Sequence, residues 1–364
     1  MGKTKSLCEI CLPKQWKTIS TDMLTDEGYP VYGANGVIGF YPEYNHKEPT
    51  LLITCRGATC GTLNICEPYS YVNGNAMALD NLTGEVDIKY LYYFLLNRGF
   101  DDVITGSAQP QIVRQSLQKV SVTYPDSEKQ AEIVSTLEKI STLITMRKEQ
   151  LAKLDELVKA RFVEMFGDAV ANEKGWPVVR LAEISEIKIG PFGSLLHKED
   201  YINGGHALVN PSHIIDGRIV TDDNLTVDDA KYAELSAYHL YPGDIVMGRR
   251  GEMGRCAVVY QNGLLCGTGS LIIRPNEKMK PYFLQSILSS PTYKKVIEDK
   301  AVGVTMMNLN VPIVSELTVP LLPLDMQEQF ISFMEKTDET KLTIQASLDK
   351  LEVMKKALMQ EYFG

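Results

Sequence analysis

Residues 151–167 read LAKLDELVKARFVEMFG, and residues 348–364 read LDKLEVMKKALMQEYFG. The two stretches agree at 8 of 17 positions with a constant offset of 197. The same offset relates Gly106 to Gly303 and Gln130 to Gln327, whereas the Leu7-Cys-Glu-Ile10 stretch is repeated at 181–184 with an offset of 174. Self-similarity at a fixed offset indicates an internal duplication. The sequence therefore predicts two copies of one unit, of which the second is about 23 residues longer.

Each copy ends in a stretch that predicts a long helix. No Pro or Gly interrupts residues 126–166 or 324–363, which gives helices of about 60 Å at about 1.5 Å per residue. Pro125 precedes Ser127-x-x-Gln130 and Pro323 precedes Asp325-x-x-Glu328, so we expect capping boxes at both helix starts. Apolar residues recur in alternating steps of four and three, which is a heptad pattern. We predict that the two helices pair antiparallel through Ile133, Leu137, Ile140, Ile144, Leu151, Leu154, Val158, Phe330, Met334, Ile344, Leu348, Leu351 and Leu358.

The segments before the helices read as globular domains of mixed α/β (α+β) character. Short apolar runs predict strands at 51–54, 121–124, 244–247, 257–260, 270–274 and 317–320. Apolar periodicity predicts helices at 89–96 and 281–289. The predicted domains are 1–125, a helix at 126–172, a second globular domain at 173–322 and a helix at 323–364. The expected fold is two globular domains separated by two helices in an antiparallel coiled coil, with pseudo-two-fold duplication.

Composition limits the function classes. The chain has 364 residues, 44% of them hydrophobic, and a net charge of −9, which argues against nucleic-acid binding by bulk electrostatics alone. No run of about 18 apolar residues and no secretory signal is present, so we expect a cytoplasmic protein. Seven cysteines give no disulfide framework, and five histidines give no metal-ligand spacing. We therefore expect reduced thiols and no metal.

Glycine-rich loops in both copies carry side chains suited to DNA. Arginine fits guanine edges, Asn and Gln fit adenine edges, and backbone amides freed by Gly can meet phosphates. Singly, each loop is more often an ordinary polar turn, and the recurrence in both copies is the stronger argument. The candidates in the first copy are Tyr32, Asn35, Arg56, Thr59, Asn73, Asn75, Gln109 and Gln111. Those in the second copy are Phe192, Ser194, His197, Lys198, Asn210, Ser212, His213, Arg249, Arg250 and Met253.

The ordered set of motifs resembles the specificity subunit of type I restriction-modification systems. It is carried by Gly106 to Ile112 running into Pro125 and Gln130, by the second run from Gly303 to Gln327, and by the two helix tails. The stretches Tyr29–Gly36 and Gly190–His197 resemble openings of target-recognition domains. The resemblance covers nearly the whole chain. One departure is the short stretch before Leu7, from which we expect the first domain to lack an opening strand or helix.

The resemblance implies that each globular domain reads one half of a split double-stranded DNA site, while the helix pair sets the gap. It implies two copies of a modification (methyltransferase) subunit and a restriction (motor and nuclease) subunit as partners. Adenine methylation with S-adenosylmethionine, and cleavage with ATP and Mg²⁺, would belong to those partners, and this chain would hold no cofactor.

Enzyme chemistry is not indicated in the chain itself. Asn210-Pro-Ser-His213 lacks the second Pro and the aromatic residue of an adenine-methyltransferase motif. No phosphate-binding P-loop and no Gly-x-Ser-x-Gly elbow occurs. Two alternatives to a non-catalytic DNA reader stay open: a stand-alone methyltransferase, and a protein scaffold that uses the coiled coil only for assembly.

Overall fold

The computed structural model describes residues 2–106, 109–251, 253–301 and 308–364. Gly303, on which part of the predicted repeat depends, lies outside these residues, as do Ser107, Ala108 and Glu252 of the predicted loops. The chain forms two compact units. Unit 1 comprises Met1–Gln150 with Ile344–Gly364, and unit 2 comprises Leu151–Thr343. This division cuts across both long helices, so the domain boundaries drawn from the sequence stay a prediction.

Unit 1 combines a four-stranded sheet with short surrounding elements. Its strands are β1 (Lys3–Ser6), β2 (Leu12–Gln15), β3 (Tyr29–Gly33), β4 (Gly36–Tyr41), β5 (Leu51–Thr54), β6 (Leu63–Ile65), β7 (Tyr71–Val72), β8 (Ala76–Asp80) and β9 (Ser121–Tyr124). Its helices are α1 (Leu7–Ile10), α2 (Ile88–Arg98), α3 (Arg114–Leu117), the first part of α4 (Ser127–Phe166) and the last part of α10 (Leu324–Phe363). The sheet order is β2-β8-β5-β6, with all neighbours antiparallel.

Unit 2 repeats this plan with additional strands. Its strands are β10 (Val178–Arg180), β11 (Ser185–Ile189), β12 (His206–Val209), β13 (Ile214–Ile215), β14 (Arg218–Ile219), β15 (Thr226–Val227), β16 (His239–Leu240), β17 (Ile245–Gly248), β18 (Cys256–Val258), β19 (Leu264–Cys266), β20 (Ser270–Pro275) and β21 (Thr318–Pro320). Its helices are the last part of α4, α5 (Leu181–Ile184), α6 (Asp229–Glu234), α7 (Pro281–Leu288), α8 (Pro291–Lys300), α9 (Val311–Ser315) and the first part of α10. The order β11-β20-β17-β18, again antiparallel throughout, confirms the predicted duplication.

The expectation that the first domain lacks an opening strand is wrong. Strand β1 pairs antiparallel with β9, from Lys3 opposite Tyr124 to Ser6 opposite Ser121. In unit 2, β10 pairs with β21 in the same way. The strand escaped prediction because Lys3 to Ser6 is polar and partly exposed, so it has no apolar pattern to mark it. Its stability comes from the hydrogen bonds to β9.

The core of each unit lies between the sheet, one following helix and one end of each long helix. In unit 1, Leu7 and Ile10 of α1 are fully buried with Leu91 of α2. In unit 2, Leu181 and Ile184 of α5 occupy the matching places. Full burial of such a side chain contributes roughly 1.5–3 kcal/mol, so the repeated apolar pair anchors each copy. No helix within the described ranges is long and apolar enough to cross a membrane.

Within each unit, segments of α4 and α10 pack against each other in opposite directions. In unit 1, Ile133 shares a core with Met359, and further along α4 Lys148 forms an ion pair of 2.8 Å with Glu352. In unit 2, Asp155 pairs with Lys341 at 2.5 Å, and the rings of Phe162 and Phe330 are 5.4 Å apart. Since α10 numbers fall as α4 numbers rise, the pairing is antiparallel in both units. The thirteen residues predicted to pair the helices are all buried or half-buried.

The predicted capping boxes are wrong at both helix starts. Helix α4 is capped by Asp126, whose Oδ1 accepts a hydrogen bond of 2.9 Å from the Lys129 amide. Helix α10 begins at Leu324, so Asp325 lies inside its first turn, where a carboxylate is favourable for the helix dipole. Gln130 of the first predicted box is 1% exposed, and Gln327, its equivalent at the offset of 197, is 0% exposed. Both side chains bond to other segments.

Candidate nucleic-acid interface

In unit 1, three loops meet where β5 ends. We call residues 55–61, between β5 and β6, the Arg56 loop. The Cys55 amide donates to the Asn75 carbonyl at 3.0 Å, and the Cys55 carbonyl accepts from the Ile112 amide at 3.0 Å. Arg56 is bridged through its backbone to Gln111. Backbone bonds therefore fix the loops that carry Arg56, Asn75 and Gln111 side by side.

The end of β17 in unit 2 has the same arrangement of backbone hydrogen bonds and backbone bridge, which we call the loop frame. We call residues 249–251 with 253–254 the Arg250 loop; Glu252 lies outside the described residues. The Arg249 amide donates to the Gly269 carbonyl at 3.0 Å, and its carbonyl accepts from the Leu309 amide at 3.0 Å. Arg250 is bridged to Asn308. Arg56 and Arg250 thus occupy equivalent places on equivalent backbone frames, which the sequence alone did not reveal.

Most predicted side chains of unit 1 are exposed around this frame. Thr59 donates its hydroxyl to Asn35 Oδ1 at 2.7 Å, and the Thr54 hydroxyl bonds to the Ala34 carbonyl, so the turn between β3 and β4 joins the cluster. The exposed candidates are Asn35, Arg56, Thr59, Asn75, Gln109 and Gln111. Their amide, hydroxyl and guanidinium groups provide donors and acceptors for base edges and phosphates.

Two side chains of unit 1 that were predicted to contact DNA are instead buried and stabilise the fold. Asn73 is 4% exposed, and its side-chain amide bonds to both the amide and the carbonyl of Ile19, at 3.1 and 3.2 Å. Tyr32 is buried in a core cluster, and its hydroxyl accepts from the Glu67 amide at 3.3 Å. Burial raises the pKa of this hydroxyl. Because their polar atoms are already bonded inside the fold, we leave both residues out of the proposed contact surface.

The candidates of unit 2 divide in the same way. Met253 is packed in the core, and buried His213 donates from Nδ1 to the Leu208 carbonyl at 2.7 Å. Buried Arg249 bonds within the loop frame. These three support the scaffold. Asn210 is half-buried, and the exposed candidates are Phe192, Ser194, His197, Lys198, Ser212 and Arg250.

Close backbone contacts bring the Phe192 segment and Asn210 to the frame of unit 2. A Cβ at Gly190 would lie 2.0 Å from the Gly267 carbonyl oxygen, and a Cβ at Gly267 would lie 2.1 Å from Asn210 Oδ1. The approach of Gly190 to the Gly267 backbone requires glycine, whereas the close contact at Gly267 is with the Asn210 side chain. His197 and Lys198 lie farther along, on a turn that Asp200 closes through a 2.6 Å bond from the His197 amide. Within the described ranges, no hydrogen bond joins that turn to the Arg250 loop.

Sequence reasoning missed Asn308. It is half-buried, and its Oδ1 accepts from Arg249 Nη1 at 2.9 Å. The offset of 197 that relates Gly106 to Gly303 also relates Gln111 to Asn308. The repeat was therefore sufficient to find it once Gln111 had been selected.

The family model for the type I restriction modification DNA specificity domain matches residues 1–156 and 173–353. An EcoprrI specificity subunit of a type I restriction enzyme from Escherichia coli is 29% identical over 147 residues, which cover 39% of this chain and 36% of that protein. The MjaVIII specificity subunit from Methanocaldococcus jannaschii is 20% identical over 334 residues, which cover 86% of this chain and 78% of that one.

Solved structures agree on the fold. The S subunit of a type I restriction-modification system from M. genitalium aligns over 100% of this chain and 96% of its own, with a TM-score of 0.65 and 17% identity. A second chain, from a study of complex assembly and conformational transition of the type I R-M system, gives a TM-score of 0.61 at 14% identity. Since the family model covers both copies of the repeated unit, this chain belongs to the type I restriction-modification DNA specificity family.

Proposed function

We propose that this chain reads a bipartite DNA site and directs adenine methylation and cleavage by partner subunits, without catalysing either reaction itself. The observation that carries the proposal is the repeated loop frame, which presents Arg56 in unit 1 and Arg250 in unit 2 at equivalent places. An arginine on such a loop can bond in a bidentate manner to guanine or hold a phosphate. Two equivalent but unlike loop sets are suited to two unlike half-sites.

Family membership supports a proposal about the partners. We propose double-stranded DNA, two copies of a modification (methyltransferase) subunit and a restriction (motor and nuclease) subunit. S-adenosylmethionine, ATP and Mg²⁺ would be bound by those subunits. The net charge of −9 is compatible with this division, because partner subunits can supply phosphate contacts while this chain supplies base contacts.

We also propose that the α4–α10 pair sets the gap between the half-sites. Support comes from antiparallel contacts in both units and from ion pairs that fix the register, such as Lys148 with Glu352 and Asp155 with Lys341. Register along B-DNA repeats about every 34 Å, so a stiff spacer restricts which gaps can be read.

The test uses the full chain assembled with its matching modification subunit. Arg56→Ala and Arg250→Ala are each compared with Arg180→Ala, which removes a surface charge in an exposed pair with Glu183. If each loop arginine contacts one base, its loss should cost about 1–3 kcal/mol and relax one position of one half-site. Sequencing of the methylated adenines shows which position is relaxed, and titration of the assembled complex with the split site measures the loss of affinity.

The result also separates the alternatives. A motif and affinity unchanged in both loop variants, with the modification subunit active, would contradict the proposal and favour a scaffold. Transfer of labelled methyl groups to DNA by this chain alone would identify it as a stand-alone methyltransferase.

A further inference from the structure

The second unit contains a buried arginine that holds one of the proposed reading side chains. Arg249 is 4% exposed, and its Nε and Nη2 donate to the Thr268 carbonyl at 3.2 and 3.1 Å. Its Nη1 donates to Asn308 Oδ1 at 2.9 Å. Building on the proposed function, we infer that Arg249 turns the Asn308 amide so that it meets DNA as a hydrogen-bond donor only.

The direction of the amide follows from chemistry. A guanidinium has five donors and no acceptor, so the Asn308 atom that faces it is the oxygen. The nitrogen, with its two donors, is then left for another partner. Within residues 2–106, 109–251, 253–301 and 308–364, no acceptor bonds to Asn308 Nδ2. Asn308 is half-exposed and its backbone is bridged to that of exposed Arg250, so the residue lies beside the proposed contact surface.

This orientation restricts what Asn308 can recognise. An asparagine that reads adenine presents its oxygen and nitrogen side by side to the N6 and N7 edge. The amide group is planar, and Arg249 holds its oxygen towards the protein interior. Asn308 is therefore suited to an acceptor: guanine O6 or N7, adenine N7, thymine O4 or a phosphate oxygen. It is not suited to a bidentate contact with adenine.

The equivalent position in unit 1 has no such restriction. Gln111 is exposed, and within the described ranges its side chain has no hydrogen-bond partner. Cys55 occupies the place of Arg249 on the shared frame and carries no guanidinium. Gln111 therefore keeps both its donor and its acceptor for DNA. Equivalent positions on one frame thus have different hydrogen-bonding capacity, and Arg249 is the positioning residue that creates the difference.

The decisive variant is Asn308→Asp in the complex with the modification subunit. The carboxylate still accepts from Arg249, so the midpoint of thermal unfolding should be unchanged or higher. It has no donor, so affinity for the full site should fall about 10-fold or more. If the acceptor is a base, one position of the second half-site should shift towards cytosine or adenine, whose amino groups can donate to a carboxylate. The first half-site should stay unchanged.

A phosphate acceptor predicts a different outcome for the same variant. Binding should then weaken by a similar factor for all sequences, the motif should be unaltered, and the salt dependence should change. Gln111→Glu is the matched control, because it alters the first half-site and leaves the second intact. A purely structural role for Asn308, through the bond from Arg249 that Asn308→Asp retains, predicts that affinity, motif and salt dependence are all unaltered by this variant.

DNA analogues extend the test to the unmodified protein and avoid any folding defect. If the acceptor is a base, replacing guanine by 7-deazaguanine, or thymine by an analogue without the O4 acceptor, at one position of the second half-site should weaken binding by the wild-type chain but not by Asn308→Asp. The inference would be overturned if the analogues weakened binding equally for the wild-type chain and for Asn308→Asp at every position, and if Asn308→Asp left the motif and the salt dependence unchanged. A loss of affinity that occurs only when an adenine N6 amino group is removed would also overturn the inference. Absence of any split motif for the wild-type complex would instead contradict the proposed function.

Discussion

Two buried glutamines give a quantitative prediction about how each long helix is joined to its unit. Gln130 accepts from the Asp87 amide at 2.8 Å and donates to the carbonyls of Glu85 and Pro125, each at 2.9 Å. Gln327 makes the equivalent three bonds, to the Lys280 amide at 2.8 Å and to the carbonyls of Lys278 and Leu322 at 3.2 and 2.8 Å. Each glutamine thus ties a helix start to the loop that precedes α2 or α7.

Replacing either glutamine by leucine keeps the approximate volume and removes all three bonds. A net contribution of about 1 kcal/mol per hydrogen bond gives an expected loss of roughly 2–4 kcal/mol in the free energy of unfolding. The effect of Gln327→Leu should lie at the lower end, since one of its bonds is 3.2 Å long. The exposed helix residues Gln150 and Gln329 provide matched Gln→Leu controls, for which a change within about 0.5 kcal/mol is expected.

Urea unfolding can follow the two units separately because the chain has two tryptophans. Trp16 lies in unit 1 and Trp176 in unit 2, so Trp176→Phe and Trp16→Phe backgrounds each leave one reporter. Gln130→Leu should lower the midpoint of the Trp16 transition, and Gln327→Leu that of the Trp176 transition. A loss below about 1 kcal/mol for Gln130→Leu would refute the reasoning, because the three bonds would then contribute no more than one.

Further predictions concern the spacer, acid stability and a close backbone contact. Inserting one heptad into both α4 and α10 adds about 10 Å at about 1.5 Å per residue, and the methylated motif should keep both half-sites while its gap changes. Hydrogen bonds from Tyr124 and Lys5 lower the pKa of Glu85 to about 2. The ionised Glu85 therefore stabilises the fold above its ordinary pKa of 4.5, and this contribution is lost as the pH falls to about 2. Glu85→Gln should accordingly reduce the pH dependence of the Trp16 unfolding midpoint across this range. Gly190→Ala should destabilise unit 2 in the Trp176 signal, because the new Cβ would lie 2.0 Å from the Gly267 carbonyl oxygen; an unchanged midpoint would show that the backbone relaxes freely.

The sequence predicted elements whose apolar pattern is strong. Strands β5 and β9 were predicted with their observed bounds, and α2 and α7 within two residues at either end. Strand β9 alternates exposed and buried residues, and β5 is buried throughout, which are patterns that periodicity detects. The β3–β4 hairpin was not predicted, because Val37, Ile38 and Phe40 do not alternate regularly with polar residues; all three are exposed in the structure. The Asn35-Gly36 pair between the two runs was an available hairpin signal.

The proposed contact surface was less predictable, because polarity does not determine exposure. Asn73 bonds to Ile19, 54 residues away, and Arg249 bonds to Asn308, 59 residues away. Buried polar groups need such partners, and long-range partners depend on tertiary structure that local composition does not encode. Polar residues in glycine-rich loops were therefore grouped together, although Asn73, His213 and Arg249 support the scaffold while Asn35, Arg56 and Arg250 face outward.

The shared loop frame explains how one fold can hold two different reading surfaces. The bonds that position the Arg56 and Arg250 loops run between backbone amides and carbonyls, from Cys55 to Asn75 and Ile112, and from Arg249 to Gly269 and Leu309. Backbone bonds are retained when side chains change. Cysteine can therefore stand where the other unit has Arg249 without loss of the frame, and the difference falls on what neighbouring side chains offer to DNA. The two copies can therefore offer different side chains to DNA from equivalent loops, as the proposed reading of two unlike half-sites requires.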